Sequence, residues 1–340
     1  MKGEDRFVDV LRALVPPAAG VRLGPGDDAA IVDQPAGLLA ATTDLLVEGV
    51  DFLPGEDPER LGRRAAAVNL SDLAAMGVEP EFFLLSIGFD GREGAEYPLA
   101  IARGAIARAG AFGARLVGGD LSDAPQTVIS VALWGRPAGA PLTRSGAAPG
   151  DVVFLSGHPG EAAAGLRLAR RVAAFSAQGS RPTPHFPELD LAAERRLLAA
   201  FRDPVPRVAL GIALARQDLA SAAIDVSDGV GKDAGRLARS SGVRLVLERQ
   251  ALPFSPALLA FAGVEEIDPL ELLLSGGDDY ELLFTASPAQ AERFERGASG
   301  FDVPVARIGR IEAGRGAVLS DGASERDIAP LGHDHLERAS

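Results

Sequence analysis

Acidic side chains recur along this chain at the ends of apolar segments, and each stands beside a glycine or a hydroxyl residue. Carboxylates held close together repel one another unless a cation neutralises them, and oxygen-rich clusters of this kind are typical of magnesium sites. The pattern therefore predicts a site for several Mg²⁺ ions and a substrate that carries phosphate. The motifs are Gly26-Asp27-Asp28, Thr43-Asp44, Ser71-Asp72, Gly119-Asp120, Asp225-Val226-Ser227-Asp228-Gly229 and Gly277-Asp278-Asp279.

The motifs of the first half are short, and taken singly each has an ordinary interpretation. The segment from Gly24 to Ala30 is either a plain Asp-rich turn or a ligand loop, because its glycines permit tight backbone geometry. Thr42-Thr43-Asp44 follows an apolar run, so we expect its oxygens where a strand opens into a loop. Gly118-Gly119-Asp120 follows Leu116-Val117 in the same way, and its glycines would let a phosphate approach the backbone.

One predicted helix carries an acid on its apolar stripe. Leu61, Ala65, Val68, Asp72 and Ala75 fall on one face at helical spacing. Asp72 is either a solvated or capping residue or a metal ligand, and the ligand explains the position better because an unpaired carboxylate there is costly.

Two features of the second half could contact phosphate. Asp225-Val226-Ser227-Asp228-Gly229 runs from a strand into a helix, so Ser227 and the first helical amides could hold a phosphate while both acids reach metal. A simple helix N-cap is the alternative, and both roles can coexist. Arg144 lies in a predicted interdomain loop, where it is either a phosphate ligand or a surface arginine.

Composition excludes several classes of function. The chain has 340 residues, a formal net charge of -13 and no cysteine. The acidic balance argues against nucleic-acid binding, and the lack of cysteine excludes disulfides, thiol catalysis and cysteine-ligated zinc or iron–sulfur sites. Neither a signal peptide nor an apolar run long enough to span a membrane is evident, so we expect a cytoplasmic protein without a membrane partner. The Gly-Lys-[Ser/Thr] element of a Walker A loop and the protein-kinase motifs are missing.

Hydrophobic periodicity predicts an α/β (α+β) protein of two domains. In the first half, strands are expected at 38–43, 82–87, 116–117 and 127–133, and helices at 58–76 and 95–112. In the second half, strands are expected at 152–155, 222–226, 243–247, 280–285, 303–308 and 318–319, a helix at 227–241 and a loop at 181–187. The predicted domains are 1–137 and 151–340, with a Pro/Gly-rich linker at 138–150.

Taken in order, the acidic motifs and their neighbours resemble those of the thiamine-monophosphate kinase family, in the superfamily that includes aminoimidazole ribonucleotide synthetase. The resemblance spans nearly the whole chain. It also covers Val47-Glu48-Gly49-Val50, the stretch from Ala67 to Gly77, Leu142-Thr143-Arg144-Ser145-Gly146 and Ser275-Gly276-Gly277-Asp278-Asp279-Tyr280-Glu281-Leu282.

The resemblance implies ATP-dependent, Mg²⁺-assisted, direct in-line phosphorylation of thiamine monophosphate to thiamine diphosphate. It also implies a homodimer whose mixed-sheet N-terminal domains (1–137) bind metal and form a shared barrel, with ATP near that interface, and whose C-terminal α/β domains (151–340) complete the substrate site. The implied metal ligands are Asp28, Thr42, Thr43, Asp44, Asp72, Asp120, Asp225 and Asp228. The implied ATP contacts are Gly119, Asp120, Arg144 and Ser227, and catalysis would rest on Asp44, Asp72, Asp120, Arg144 and Asp228.

The resemblance implies that Asp278 and the residues at positions 51 and 333 contact the thiamine end. The neighbourhood of Tyr280 would support the same pocket. Two of these positions depart from the family pattern: Asp51 stands where histidine is common, and His333 stands where an aromatic residue stacks on thiamine. We expect both changes to alter substrate recognition. Two other functions stay open: an ATP-dependent enzyme of the same superfamily with another small acceptor, and a non-catalytic nucleotide- or metal-binding protein.

Overall fold

The computed structural model describes residues 10, 13–15, 20–23, 31–33, 37–177, 189–297 and 300–333. These residues divide into two compact units. Unit 1 lies within Met1–Leu73 and Val78–Pro137, and unit 2 lies within Ala74–Gly77 and Ala138–Ser340. Three predicted features fall outside the described residues, namely the turn around Asp27 and Asp28, the proline-rich loop at 181–187 and the segment after His333.

Unit 1 is built on a four-stranded mixed sheet. Its strands are β3 (Ala40–Val47), β4 (Val78–Phe89), β5 (Arg115–Asp123) and β6 (Val128–Pro137), in the order β3-β6-β4-β5. Only β4 and β5 run parallel. Two helices, α1 (Pro58–Ala75) and α2 (Glu96–Gly110), accompany the sheet, and β1 (Val21–Leu23) and β2 (Ile31–Val32) form a separate antiparallel pair.

The ends of α1 follow from its sequence, as predicted. Asp57 accepts a 2.8 Å hydrogen bond from the amide of Arg60, which satisfies one of the free donors at a helix start, and Pro58 occupies the first turn. Gly77, just beyond the end, has a φ of +67°, a left-handed conformation that glycine adopts without strain. The helix that carries Asp72 is therefore fixed at both ends.

Unit 2 is built on a seven-stranded mixed sheet in the order β13-β12-β9-β11-β7-β10-β8. Only β9 and β12 run parallel. The strands are β7 (Val152–Ser156), β8 (Ala222–Val226), β9 (Arg244–Glu248), β10 (Glu281–Ala286), β11 (Val305–Glu312), β12 (Gly316–Ser320) and β13 (Glu325–Asp327). The helices are α3 (Glu161–Ala177), α4 (Leu191–Arg202), α5 (Val208–Arg216), α6 (Val230–Ser241), α7 (Pro256–Glu265), α8 (Pro269–Ser275) and α9 (Pro288–Gly297).

Two apolar clusters form the core of unit 2. In the larger cluster, Ile224, Leu245 and Leu283 of the sheet pack with Leu237 of α6 and Leu273 of α8, and all five are buried. The smaller cluster joins α3, α4 and α7. No helix in the described part of the chain is long and apolar enough to cross a membrane.

The α/β class is confirmed, whereas three local predictions are wrong. Asp44 lies within β3 rather than at its end, and Gly118-Gly119-Asp120 lies within β5 rather than after it. Both strands extend through polar residues because ladder hydrogen bonds to β6 and β4 continue past the apolar run. The helix predicted from residue 227 begins only at Val230, because Ser227 and Asp228 make other hydrogen bonds.

Candidate active site

An acidic cluster, which we define as Thr42, Asp44, Asp51 and Asp72, lies between β3 and α1 in unit 1. Strand alternation puts Thr42 and Asp44 on the same face of β3. Thr42 Oγ1 donates a hydrogen bond to Asp72 Oδ2, and Asn69, three residues before Asp72 on α1, accepts a 3.1 Å bond from the amide of Asp44. The helix stripe and the strand face thus meet at these carboxylates.

The electrostatics of the acidic cluster are those of crowded carboxylates. The pKa of Asp44 is raised from 3.8 to about 6, chiefly by burial and then by the neighbouring charge of Asp72, to which Asp44 is also hydrogen-bonded, with a smaller contribution from Asp51. Either a proton or a cation must compensate this crowding. In the described part of the chain, no three histidine or acidic side chains form a complete metal site, and Asp28, the remaining predicted ligand of this half, lies outside it.

Asp51, one of the two departures from the family pattern, closes the turn after β3. Its Oδ2 accepts a 2.8 Å hydrogen bond from the amide of Val47. Its carboxylate therefore stabilises the local backbone and at the same time adds negative charge beside Asp44.

Two predicted ligands, Thr43 and Asp120, lie on the other face of the sheet. Thr43 alternates with Thr42 and Asp44, is exposed, and donates a 3.0 Å bond to the carbonyl oxygen of Val131. Asp120 is in register with Ser86 of β4, on the face opposite the buried Leu85. Since side chains alternate along a strand, the sheet itself separates these two oxygens from the acidic cluster.

Strand packing requires glycine at position 119, a constraint that the sequence did not reveal. A Cβ atom at this position would lie 1.8 Å from the carbonyl oxygen of Leu85 on the neighbouring strand. Strand β5 can therefore pair with β4 here only if residue 119 is glycine, whether or not a phosphate also approaches it.

In unit 2, three backbone segments meet and bring together residues that the sequence assigned to different ligands. We call this the three-segment cluster, formed by residues 227–229, 276–280 and 331–333. The amide of Asp278 donates a 2.7 Å hydrogen bond to the carbonyl oxygen of Ser227, and the amide of His333 donates a 2.9 Å bond to that of Asp228. The predicted ATP contact Ser227 and the predicted thiamine-end residues Asp278 and His333 are thus adjacent.

The backbone of the three-segment cluster is unusual at Asp278 and Tyr280. Their φ angles are +62° and +52°, and a bulky residue in this left-handed region is an outlier that the surrounding structure must hold in place. Tyr280 Oη donates a 2.9 Å hydrogen bond to Asp278 Oδ1, and the Tyr280 amide donates a 2.8 Å bond to the carbonyl oxygen of Val226. These bonds fix Tyr280 against Asp278, and their joint contact with thiamine stays a prediction.

Asp228, a predicted metal ligand, lies beside two cationic groups. Arg236 Nη2 is 2.5 Å and Lys232 Nζ is 3.5 Å from Asp228 Oδ2. Lys232 also donates a hydrogen bond to the carbonyl oxygen of His333. Asp225 is buried in β8, and Arg144 is exposed, with its carbonyl oxygen accepting a 2.9 Å bond from Ser241 Oγ.

Asp233 explains why Ser227 and Asp228 precede the helix instead of starting it. Asp233 is fully buried, and its Oδ2 accepts hydrogen bonds from the amides of Ser227, at 3.1 Å, and Asp228, at 3.0 Å. Burial raises the pKa of Asp233, while the Asp228 amide and Arg236 oppose that rise. The N-cap interpretation of Ser227 and Asp228 is wrong, because Gly229 is the cap and these two amides already have a carboxylate partner.

Sequence reasoning assigned no individual role to Asp279, Glu281 and Arg207, although Asp279 belongs to one of the acidic motifs. Asp279 accepts 2.9 Å hydrogen bonds from the amide of Gly160 at the start of α3, and burial raises its pKa well above the usual value. Arg207 Nε donates a 2.6 Å bond to the buried Glu281. Burial lowers the pKa of Arg207, but its bonds and the charge of Glu281 outweigh burial and raise it overall. The sequence feature that could have drawn attention to two of them is the segment Asp279-Tyr280-Glu281, in which neither acid had an assigned role.

Comparison with known proteins places these residues in a family. Residues 26–136 match the model of the AIR synthase related protein N-terminal domain, and residues 148–322 match that of the C-terminal domain. A thiamine-monophosphate kinase of Salmonella typhimurium is 36% identical over 295 residues, which cover 86% of this chain and 85% of the relative. The chain belongs to the thiamine-monophosphate kinase family. The resemblance inferred from the motifs is confirmed.

Solved structures of the thiamine-monophosphate kinase family share this fold. The crystal structure of the Stenotrophomonas maltophilia enzyme has a TM-score of 0.81 and 35% identity, covering 95% of this chain and 98% of that one. The AaThiL structure, complexed with AMPPCP and TMP, has a TM-score of 0.76 and 30% identity, covering 98% and 97%. A hydrogenase maturation protein HypE, at 16% identity and a TM-score of 0.71, shares the fold alone.

Proposed function

We propose that this chain transfers the terminal phosphate of ATP to thiamine monophosphate, which yields thiamine diphosphate and ADP. Family membership supports the reaction, as does the related AaThiL complex with AMPPCP and TMP. Within this chain, the observation that carries the proposal is the three-segment cluster. There the 2.7 Å bond from Asp278 to Ser227 holds a nucleotide-side loop against an acceptor-side loop.

The acidic cluster fits Mg²⁺. Asp44 and Asp72 are close enough that the pKa of Asp44 rises to about 6, and Thr42 adds a hydroxyl oxygen to the same place. Hard oxygen donors at a crowded anionic position are what Mg²⁺ binds, and the bound ion would neutralise phosphate charge. We assign Thr42, Asp44 and Asp72 as the first ligands to test, with Asp28, Asp225 and Asp228 as further predicted ligands. Thr43 and Asp120, also predicted as ligands, lie on the other face of the sheet and would have to bind a different ion.

The protein's part in the transfer is positioning. The phosphate of thiamine monophosphate is already ionised near neutral pH, so it can attack the γ-phosphorus of ATP directly and no general base is required. Arg144 is exposed, and its guanidinium would pair with the phosphate oxygens of an anionic ligand. Asp278, held by Tyr280, and His333 would orient the thiamine end.

We further propose that the protein works as a homodimer in the cytoplasm. The sheet face that carries Thr43 and Asp120 also carries Leu45, which is 55% exposed within a strand. An exposed apolar side chain on a sheet face favours cover by another surface. A second copy of the same face would supply that cover and would bring Gly119 and Asp120, the predicted ATP contacts, to the interface.

An acceptor panel tests the proposed function. Purified protein, ATP and Mg²⁺ are incubated with thiamine monophosphate, with thiamine, with other small phosphates and with no acceptor, and ADP is measured. We expect ADP formation to depend on thiamine monophosphate, to be lost in Asp72→Asn and to persist in the matched surface variant Asp321→Asn. Asp321 is an exposed hairpin residue that accepts bonds from its own turn. Turnover with another acceptor only, or ATP binding without turnover, would contradict the proposal.

A further inference from the structure

Asp233 organises the loop that joins β8 to α6. Its side chain is completely buried, and both of its carboxylate oxygens are engaged. Oδ2 accepts the amides of Ser227 and Asp228, and Oδ1 accepts a 2.7 Å bond from Arg236 Nη1. One carboxylate therefore fixes two consecutive peptide units of the loop and one cationic side chain.

The other two segments of the three-segment cluster, 276–280 and 331–333, are hydrogen-bonded to the loop that Asp233 holds. The carbonyl oxygen of Ser227 receives the amide of Asp278, and the carbonyl oxygen of Asp228 receives the amide of His333. Within one planar peptide unit the carbonyl of a residue and the amide of the next residue are rigidly connected, so holding the amides of Ser227 and Asp228 sets the directions of the Val226 and Ser227 carbonyl groups, which accept the amides of Tyr280 and Asp278. Asp233 thus acts directly on the 276–280 segment through the backbone, and on His333 through the adjoining residue Asp228.

Arg236 completes the same arrangement through side chains. Its Nη1 is 2.7 Å from Asp233 Oδ1 and its Nη2 is 2.5 Å from Asp228 Oδ2, so a single guanidinium bridges the two carboxylates. A planar guanidinium with two engaged nitrogens restricts both partners. The Asp228 side chain is therefore positioned by the same buried residue that positions its backbone.

We infer that Asp233 is a positioning residue for phosphoryl transfer, which holds Ser227 and Asp228 in register with Asp278 and His333. The inference rests on the proposed function for its kinetic consequence but on the hydrogen-bond geometry for the positioning itself. Asp233 has no role in substrate contact, because it is fully buried behind the loop. Its loss should therefore slow the transfer step more than it weakens binding of either substrate.

Asp233→Asn is the informative variant because it keeps the shape of the side chain. Its amide group retains one acceptor oxygen but turns an N–H donor towards either the loop amides or Arg236, so one of the two connections fails. Asp151→Asn is the matched control. Asp151 is also buried in unit 2 and accepts a 3.0 Å amide bond from Ala148 and a 2.6 Å bond from Ser221 Oγ, at the other end of β7 and β8.

The kinetic test compares the two variants with the wild type at a temperature where all three are folded. For Asp233→Asn we expect kcat to fall on the order of 10²-fold, with little change in KM for ATP or thiamine monophosphate. For Asp151→Asn we expect a lowered melting temperature with kcat near the wild-type value. The inference would be overturned if Asp233→Asn and Asp151→Asn had equal kcat, or if the defect of Asp233→Asn were confined to KM. Either result would leave the proposed function intact.

Amide hydrogen exchange supplies a readout that does not depend on activity. In Asp233→Asn we expect faster exchange at Ser227, Asp228, Asp278 and His333 than in the wild type, whereas Asp151→Asn leaves these amides protected. If the wild type forms no thiamine diphosphate, the proposed function fails, and exchange still decides the positioning role. Unchanged protection at Ser227 and Asp228 in Asp233→Asn would overturn it.

Discussion

The amide of Asp278 donates a 2.7 Å hydrogen bond to the carbonyl oxygen of Ser227, although 51 residues of chain separate the two. Ser227 precedes α6 and belongs to the motif that the sequence assigns to ATP, whereas Asp278 precedes β10 and belongs to the motif assigned to thiamine. Strands β8 and β10 are antiparallel neighbours, so the end of one and the start of the other meet at the same edge of the sheet. A single backbone hydrogen bond thereby joins two segments for which different ligands are predicted.

Tyr280→Phe tests whether the segment with the left-handed residues Asp278 and Tyr280 binds thiamine monophosphate. The change removes the 2.9 Å bond from the hydroxyl to Asp278 and leaves the ring, so Asp278 loses its orientation without a packing defect. We expect KM for thiamine monophosphate to rise about threefold to tenfold, as befits one lost hydrogen bond, with KM for ATP unchanged. Steady-state kinetics with each substrate varied in turn decide the matter, and an equal rise in both KM values would refute this assignment.

Asp44 predicts a distinctive pH dependence of stability in metal-free protein. Because its pKa is about 6 in the folded state against 3.8 ordinarily, the folded state retains a proton that the unfolded chain releases between these values. Asp44 therefore favours folding most below pH 4, and this contribution declines as pH rises through about 6, by at most roughly 3 kcal/mol.

The measurement is urea unfolding of wild type and Asp44→Asn in chelator between pH 4.5 and 7.5. We expect the variant to gain stability relative to the wild type as pH rises, since asparagine has no proton to lose. Added Mg²⁺ at pH 7.5 should stabilise the wild type more than the variant. If the free energies of unfolding of the wild type and Asp44→Asn changed in parallel with pH, Asp44 would not be the source of the pH dependence.

Gly119→Ala separates a packing role from a ligand role. The added Cβ would meet the carbonyl oxygen of Leu85 at 1.8 Å, so β4 and β5 would have to move apart. We expect the free energy of unfolding to fall by about 1–3 kcal/mol or more. Gly110→Ala is the control, because no heavy atom lies within 4 Å of its Cβ position, and we expect little change in stability. Weakened ATP binding with full stability in Gly119→Ala would favour the ligand role instead.

Arg207→Ala tests the buried ion pair in unit 2. Glu281 is 5% exposed, and it would keep only its bond from Ser156 if the guanidinium were removed. We expect a loss of about 3–5 kcal/mol in the free energy of unfolding, and partial recovery in the double variant with Glu281→Gln. Arg310→Ala breaks a 3.0 Å pair with Glu248 at the surface and should cost about 1 kcal/mol or less. Similar losses in the two arginine variants would contradict this account.

The sequence predicted most elements because their signals are local. Asp57, Pro58 and Gly77 mark the ends of α1 by capping chemistry that depends only on adjacent residues, and the strand 222–226 was predicted to the residue. Two of the three local errors arose where a strand continues through polar residues, and the third arose where Asp233 holds the amides that were expected to start α6. Asp44 and Asp120 follow apolar runs, but whether a strand stops there depends on partners in β6 and β4 that lie far along the chain.

The sequence identified residues of the candidate site but not the hydrogen bonds that connect them. Ser227, Asp228, Asp278 and His333 were each identified from motifs, yet nothing in their spacing indicated that backbone hydrogen bonds join them. Strand alternation already implied that Thr42 and Thr43 face opposite sides of the sheet, but which of the two faces α1 depends on packing that the sequence did not reveal. Asp233 was missed because a buried carboxylate that binds amides looks, in sequence, like any helical aspartate.

The most direct measurement follows the γ-phosphate itself. The protein is mixed with γ-labelled ATP, Mg²⁺ and thiamine monophosphate, and the label is located by chromatography after a single turnover. The account predicts label in the terminal phosphate of thiamine diphosphate in a one-to-one ratio with ADP, and none on the protein. Label recovered as inorganic phosphate, or held on the protein as a phosphorylated intermediate, would contradict direct transfer to thiamine monophosphate.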